Sequence, residues 1–278
     1  MSQVVDIVRE EITQALEKDQ LVLPTLPEVA LQVREVAENP NASISQLVDV
    51  IGHDAALTAR IIKVANSPLL RAAKEIEDLK MALMRLGMEY TCNLATGLAM
   101  EQMFQATSDM IDSRLREVWN RSSEIAGICH VLCRYSSDLR PDRATLAGLV
   151  HQIGILPILT YAEENHTLLK DGITLDRVIE TLHPSLGDKI LEKWDFPEEL
   201  RHIPSQHLDF QRKVPNADYA DIVTVAMLQS HMGCDDKYGQ MDCSQVSAFE
   251  RLGLDPEMQF AEAEDLSEEM KSAAALLQ

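Results

Sequence analysis

The stretch 41–67, NASISQLVDVIGHDAALTARIIKVANS, carries two helices together with the signals that start and stop them. Ser43 followed three residues later by Gln46 matches a capping box, in which a hydroxyl and an amide satisfy each other's free backbone N–H groups. Apolar residues then recur at helical spacing to about Gly52. Asp54 can open the next helix by offering its carboxylate to unpaired N–H groups, and that helix runs through Ala65 until Asn66-Ser67-Pro68 closes it.

The same pattern extends outward in both directions. Val4, Ile7, Val8, Ile12 and Leu16 mark a first helix, and Pro24 and Pro27 break the chain before another opens near Glu28 and stops at Asn39-Pro40. Periodic segments at 78–86 and 89–105 precede a polar linker from Gln105 to Asp112, the best internal boundary. A long helix then reaches about Tyr135, and Pro141 opens another that carries the apolar run from Leu146 to Leu159. Asp171-Gly172 reads as a turn, Pro184 as the start of a helix ending near Trp194, and Pro197 as the start of one ending before Pro204. A loop over 205–216, a helix over 216–232, a short helix near 244–252 and an acidic, alanine-rich helix from Pro256 complete the chain. No alternating run suggests a strand and no fixed period suggests a solenoid, so the expected class is all-α.

Composition narrows the function. A net charge of −20 surrounds the protein with a field that opposes phosphate backbones and anionic lipid, and the densest basic cluster is a pair such as Arg212-Lys213. We therefore expect no nucleic-acid and no membrane partner. Five cysteines without a CxxC pair suggest neither a disulfide framework nor a zinc ribbon and fit a reducing cytoplasm. Cys129, His130 and Cys133 sit one helical turn apart among apolar residues, the setting of small buried hydrophobes. The amino terminus is too acidic for a secretory signal, and no stretch approaches the roughly 18 apolar residues of a membrane span. There is no GxSxG elbow, P-loop or Gly-rich dinucleotide fingerprint.

Three phrases in the first half, LPTLPEVALQV (23–33), the stretch 41–67 and LKMALMRLGM (79–88), resemble the HDOD family. The order is the same: a Leu-Pro opening, a helix ending before an Asp, a Leu-Thr helix, an Asn-Ser stop and a helix closed by Leu-Gly. The second half continues the resemblance with VWNRSSEIA (118–126), AGLVHQIGILPIL (147–159), HPSLGDKILEKWDFPEELRHIPSQH (183–207) and ADIVTVAMLQSHMG (220–233). The resemblance implies an all-helical HDOD/HD-like fold of two packed lobes, over 21–107 and 108–244, flanked by a helix at 1–20 and an acidic helical extension at 245–278.

Active HD phosphohydrolases hold a divalent ion with a His, a His-Asp pair and a late Asp, and the ion so held lowers the pKa of an attacking water. By resemblance, these positions are Arg121, His151, Gln152 and Met227 here. A guanidinium repels a cation, an amide adds no negative charge, and a thioether is too soft for Mg or Mn. The literal His53-Asp54 pair falls at the helix start and is a cap, not a metal pair. His183 and His207 match histidines that serve as ligands in two-metal relatives, so with His151 they form a candidate residual metal site; hydrogen-bonded core or loop histidines are the other reading. His130, His166, His202 and His231 need no role. Trp194 with Phe196-Pro197 reads as a packing anchor.

The resemblance implies a non-catalytic signal-transduction module acting through contacts with signalling proteins, with no cofactor expected. One alternative is a metal-dependent phosphohydrolase acting on a nucleotide or cyclic dinucleotide with Mn, Fe or Mg. Another is a pocket in which Arg121 contacts a small anionic ligand such as a phosphate.

Overall fold

Pro27, with φ fixed near the helical start, leads into α1 (Glu28–Glu38). Ser43 then accepts the Gln46 N–H at 3.3 Å while the Gln46 side chain takes the Ser43 N–H at 2.8 Å, and this reciprocal cap starts α2 (Ile44–Gly52). The Asp54 carboxylate accepts the Leu57 N–H at 2.9 Å and starts α3 (Ala55–Ala65), while His53 beside it is exposed. Asp78 caps α4 (Leu79–Leu86) in the same way, and Gly87, at φ 83°, turns the chain into α5 (Met88–Ala99) and the 3-10 turn Met100–Met103.

The structure is a computed structural model that describes residues 8, 10–15, 23–67, 70, 75–106, 108–165, 168–169, 171–256 and 264–277. Residues 10–15 of the expected first helix are helical, with Ile12 buried; its other positions, except Val8, and residues 257–263 of the expected terminal helix lie outside the described residues.

The second half holds α6 (Asp109–Ser136), α7 (Pro141–Val150), α8 (Ile155–Glu164), α9 (Gly172–Lys193), the short α10 (Glu198–Arg201) and α11 (Ile203–Gln206), α12 (Tyr219–Ser230), α13 (Ser247–Leu252) and α14 (Glu264–Leu277). Among the described residues there is no strand. The 28-residue α6 is the spine: an added Cβ on Gly148 of α7 would lie 2.5 Å from the Ala126 Cα of α6, so these two helices cross backbone to backbone. Buried apolar side chains from both halves merge into one continuous core.

Five expectations need correction. Pro184 lies inside α9 rather than at its start, and Asp171-Gly172 is the N-terminal cap of that helix, the Asp171 side chain accepting the Thr174 N–H. The missing Pro184 donor is tolerated because packing fixes α9: Gly154 and Gly187 let it lie directly on the turn at 151–154. That turn also splits the Leu146-to-Leu159 segment into α7 and α8. His207 follows the short α11 and is 1% exposed, so it does not belong to an open loop. Finally, Pro141–Glu164 is long and apolar enough by composition to span a membrane, with a mean hydropathy of 1.4, but its apolar window is 83% buried inside the fold.

The two halves are joined by polar contacts as well. Arg34 of α1 donates to the Trp194 and Asp195 carbonyls, the latter at 2.8 Å, and its guanidinium lies 5.2 Å from the Phe196 ring centre. Trp194, 8% exposed, donates its indole N–H to the Pro24 carbonyl at 3.0 Å, which is the anchor its neighbours suggested. Asn93 of α5 reaches Asp142 of α7 at 2.6 Å.

Candidate functional site

His151 ends α7, His183 sits in α9 and His207 follows α11. The close approach of α9 to the turn after His151, permitted by Gly154 and Gly187, is what brings these distant residues together. The His151 and His207 ring centres are 5.1 Å apart at 88°, and those of His183 and His207 are 6.4 Å apart at 61°.

Each ring is oriented by its own helix. Nδ1 of His151 is 2.6 Å from the Gly148 carbonyl, that of His183 is 2.8 Å from the Ile179 carbonyl, and that of His207 is 2.8 Å from the Ile203 carbonyl. A carbonyl can only accept, so each Nδ1 carries the proton and each Nε2 presents a lone pair. Burial holds all three rings neutral: it lowers His151 to about 4 against the opposing pull of the Gly148 carbonyl, lowers His183, and takes His207 well below the usual range, helped by the other two rings. The His151 Nε2 is buried without a hydrogen-bond partner.

His183 and His207 open onto a cavity of about 260 Å³. Arg121 of α6, Gln152 and Met227 of α12 line the same cavity, and His151 stands against it through the His207 ring. Residues chosen from four separate phrases of sequence therefore converge on one place. Arg121 is held only loosely, 3.8 Å from Glu124 and 3.4 Å from the Ser230 carbonyl.

The lining also includes Glu117, Glu180 and Tyr238, which sequence reasoning does not single out, and His231, which it leaves without a role. The Nδ1 of His231 lies 2.7 Å from Asp236, and its ring centre is 5.1 Å from that of Tyr238. Asp236 also accepts the Gly239 and Tyr238 N–H groups; these bonds, the Gly239 one foremost, together with the His231 contact hold its carboxyl down near 2. The usable signal is spacing: Glu117 lies one helical turn before Arg121, and Glu180 one turn before His183. Tyr238 comes from a loop with no such signal.

The other candidates fall elsewhere. Cys129, His130 and Cys133 are buried in the core, and His130 pairs with Thr145 at 3.0 Å. His202 meets Asp188 at 3.1 Å on the surface side, and His166 lies outside the described residues. Among the described residues no group of three His, Cys, Asp or Glu side chains is placed to hold a metal ion. Glu117 and Glu180 line the same cavity as the imidazoles, amide, thioether and guanidinium, but without a converging three-ligand group this is not the oxygen-rich donor set that Mg or Mn requires.

Fold and site together define a class: an all-helical protein of HD-like architecture with histidines gathered at one cavity. The chain belongs to the HDOD domain family, whose model matches residues 23–210. A crystal structure from Shewanella amazonensis SB2B, provisionally named a metal-dependent phosphohydrolase, is 30% identical, with both chains covered completely and a TM-score of 0.88. An HDOD domain protein from Geobacter sulfurreducens, 20% identical with 98% of each chain covered, superposes at a TM-score of 0.69 and shares the fold. A curated Treponema pallidum (strain Nichols) protein without a described function is 24% identical over 245 residues, covering 82% of this chain. The chain spans 46% of that relative's length.

Proposed function

We propose that this protein is a non-catalytic signal-transduction module that works through contacts with other proteins, and that its histidine cavity is a vestige able to sense a small ligand. The observation that carries this reading is the residue set at the cavity: Gln152 and Arg121 stand beside His183 and His207 where a hydrolase of this architecture needs carboxylate and histidine ligands. A water's pKa falls toward neutrality only on a bound cation, and Glu117 and Glu180 on the cavity wall do not converge with the histidines into a three-ligand set among the described residues. Arg121, loosely paired, is the group that a small anion such as a phosphate would meet.

A second reading, metal-dependent phosphohydrolysis, is favoured by one observation: the Nδ1–H groups are all turned to carbonyls, which leaves Nε2 lone pairs as in metal-bound histidine. Such a site would take its ion, Mn or Fe before Mg, chiefly from imidazoles, with Glu117 and Glu180 as the carboxylates on the same cavity wall. The test is a phosphodiesterase assay on the full chain in added Mn with a chromogenic phosphodiester. Turnover no faster than buffer supports the regulatory reading. Turnover that disappears in His151→Ala would establish the enzyme.

A further inference from the structure

A second cavity, of about 360 Å³, lies where the two halves of the chain meet, and the described residues that line it are all different from those of the histidine cavity. Its walls come from α1 and α5 on one side and from α7, α10 and the link between α9 and α10 on the other. Arg34 of α1 belongs to the frame, since it holds the Trp194 and Asp195 carbonyls and lies over the Phe196 ring. Cys92 of α5, Leu146 of α7 and Phe196 supply the apolar lining, and the Cys92 thiol, pushed up to about 12 by burial, stays uncharged there.

Charge is layered in this cleft. The side chains of Arg143 and Arg201 are each 29% exposed, whereas those of their partners Glu89 and Asp195 are 57% and 85% exposed, so the carboxylates stand toward the mouth and the guanidiniums deeper. Arg143 bonds Glu89 at 3.0 Å and also Glu199, and Arg201 bonds Asp195 at 2.7 Å. Ion pairs that water reaches contribute little, so the anionic group of a ligand can take the place of these carboxylates on the planar guanidiniums. Deeper still, Thr96 of α5 lines the cleft, is 2% exposed, and its hydroxyl has no hydrogen-bond partner among the described residues. Buried hydroxyls are ordinarily paired, which makes this one a bond left open to a molecule that enters the cleft.

We infer that this cleft is a binding site for a small organic anion. A carboxylate or phosphate head meets Arg143 and Arg201, an apolar body lies against Leu146 and Phe196, and a polar group of the same molecule bonds Thr96. The volume is that of a small-molecule site, and the boundary between two packed halves is a usual place for one. Because each half supplies a wall, the ligand bridges them and favours the arrangement in which they are joined. The inference does not depend on what the histidine cavity binds.

The probe is anilinonaphthalene sulfonate, an organic anion whose fluorescence rises in apolar surroundings, titrated into the full chain. Saturable binding is expected, weakened roughly tenfold or more by Arg143→Gln and roughly threefold or more by Thr96→Val. Arg143 bonds carboxylates that water already reaches and Val has the shape of Thr, so both variants keep the fold by circular dichroism; should one not, the other decides. Phenyl phosphate and phenylacetate are the competitors: displacement by either supports the site and tells which head it takes, and displacement by neither overturns it. No saturable binding to the wild type, or binding indifferent to Arg143→Gln or to Thr96→Val, overturns it too. Binding that Arg121→Ala removes and Arg143→Gln spares would place the anion in the histidine cavity and likewise overturn the inference.

Discussion

His151 shows what burial does to a titratable group. Its ring is 0% exposed and neutral, whereas in the unfolded chain it titrates near its usual value. Because its folded pKa is depressed, the stability it confers is full above the unfolded value and is lost as pH falls toward about 4. A tenfold change in proton affinity corresponds to about 1.4 kcal/mol, so the loss is on the order of 3 kcal/mol. Urea titrations of the wild type between neutral pH and pH 4 should show this as a falling midpoint, and His151→Leu should flatten the slope; an unchanged slope would mean that His151 does not stay neutral. Arg121 belongs to the same scale: Arg121→Ala should leave stability within about 0.5 kcal/mol, as for a side chain with weak partners, while reducing any binding of inorganic phosphate seen by calorimetry. Phosphate binding that survives the substitution would remove the anion reading.

Gly154 is the element-scale counterpart. Its missing side chain lets α9 rest on the turn after His151, and an added Cβ would run into the His183 carbonyl and sit 2.5 Å from the Gly187 nitrogen. Gly154→Ala is expected to cost about 1 to 3 kcal/mol and to shift the His183 and His207 imidazole resonances together, because it must lift α9 from the turn. Stability and resonances unchanged would refute that packing account. Asp221, the return partner of Asp218 in the cap of α12, is 1% exposed and bound by Arg212 at 2.9 Å and Arg251 at 2.7 Å, fastening α13 to α12. Burial alone would raise its pKa; the hydrogen bonds from Arg251 and Arg212 outweigh it and bring it down. Its contribution is therefore present above the unfolded carboxylate pKa and lost as pH falls through the lower folded one. Asp221→Ala, which takes one of two carboxylate partners from Arg212, leaving it Asp218, and removes the bonds to Arg251, should cost about 1.5 to 3 kcal/mol in chemical denaturation; a cost under about 0.5 would show the cluster to be solvated.

At the scale of the whole molecule, the helical class and most helix starts were legible because caps are local: Ser43, Asp54 and Pro141 each stand where a helix begins. Pro184 misled because local preference marks it as a start, while the packing that carries α9 through it comes from Gly154, thirty positions away in sequence. The convergence of Arg121, Gln152, His183, His207 and Met227 could be anticipated only through the family pattern. Glu180 and Tyr238 join that cavity through contacts that no short window of sequence contains. The join between the halves was equally invisible: Arg34 has no motif, yet it reaches two carbonyls and an aromatic ring of the other half. Metal content bears most directly on whether this architecture still supports hydrolysis. Elemental analysis of the purified full chain should find divalent metal well below one ion per molecule; stoichiometric metal that His207→Ala removes from a folded chain would contradict the loss of the catalytic centre.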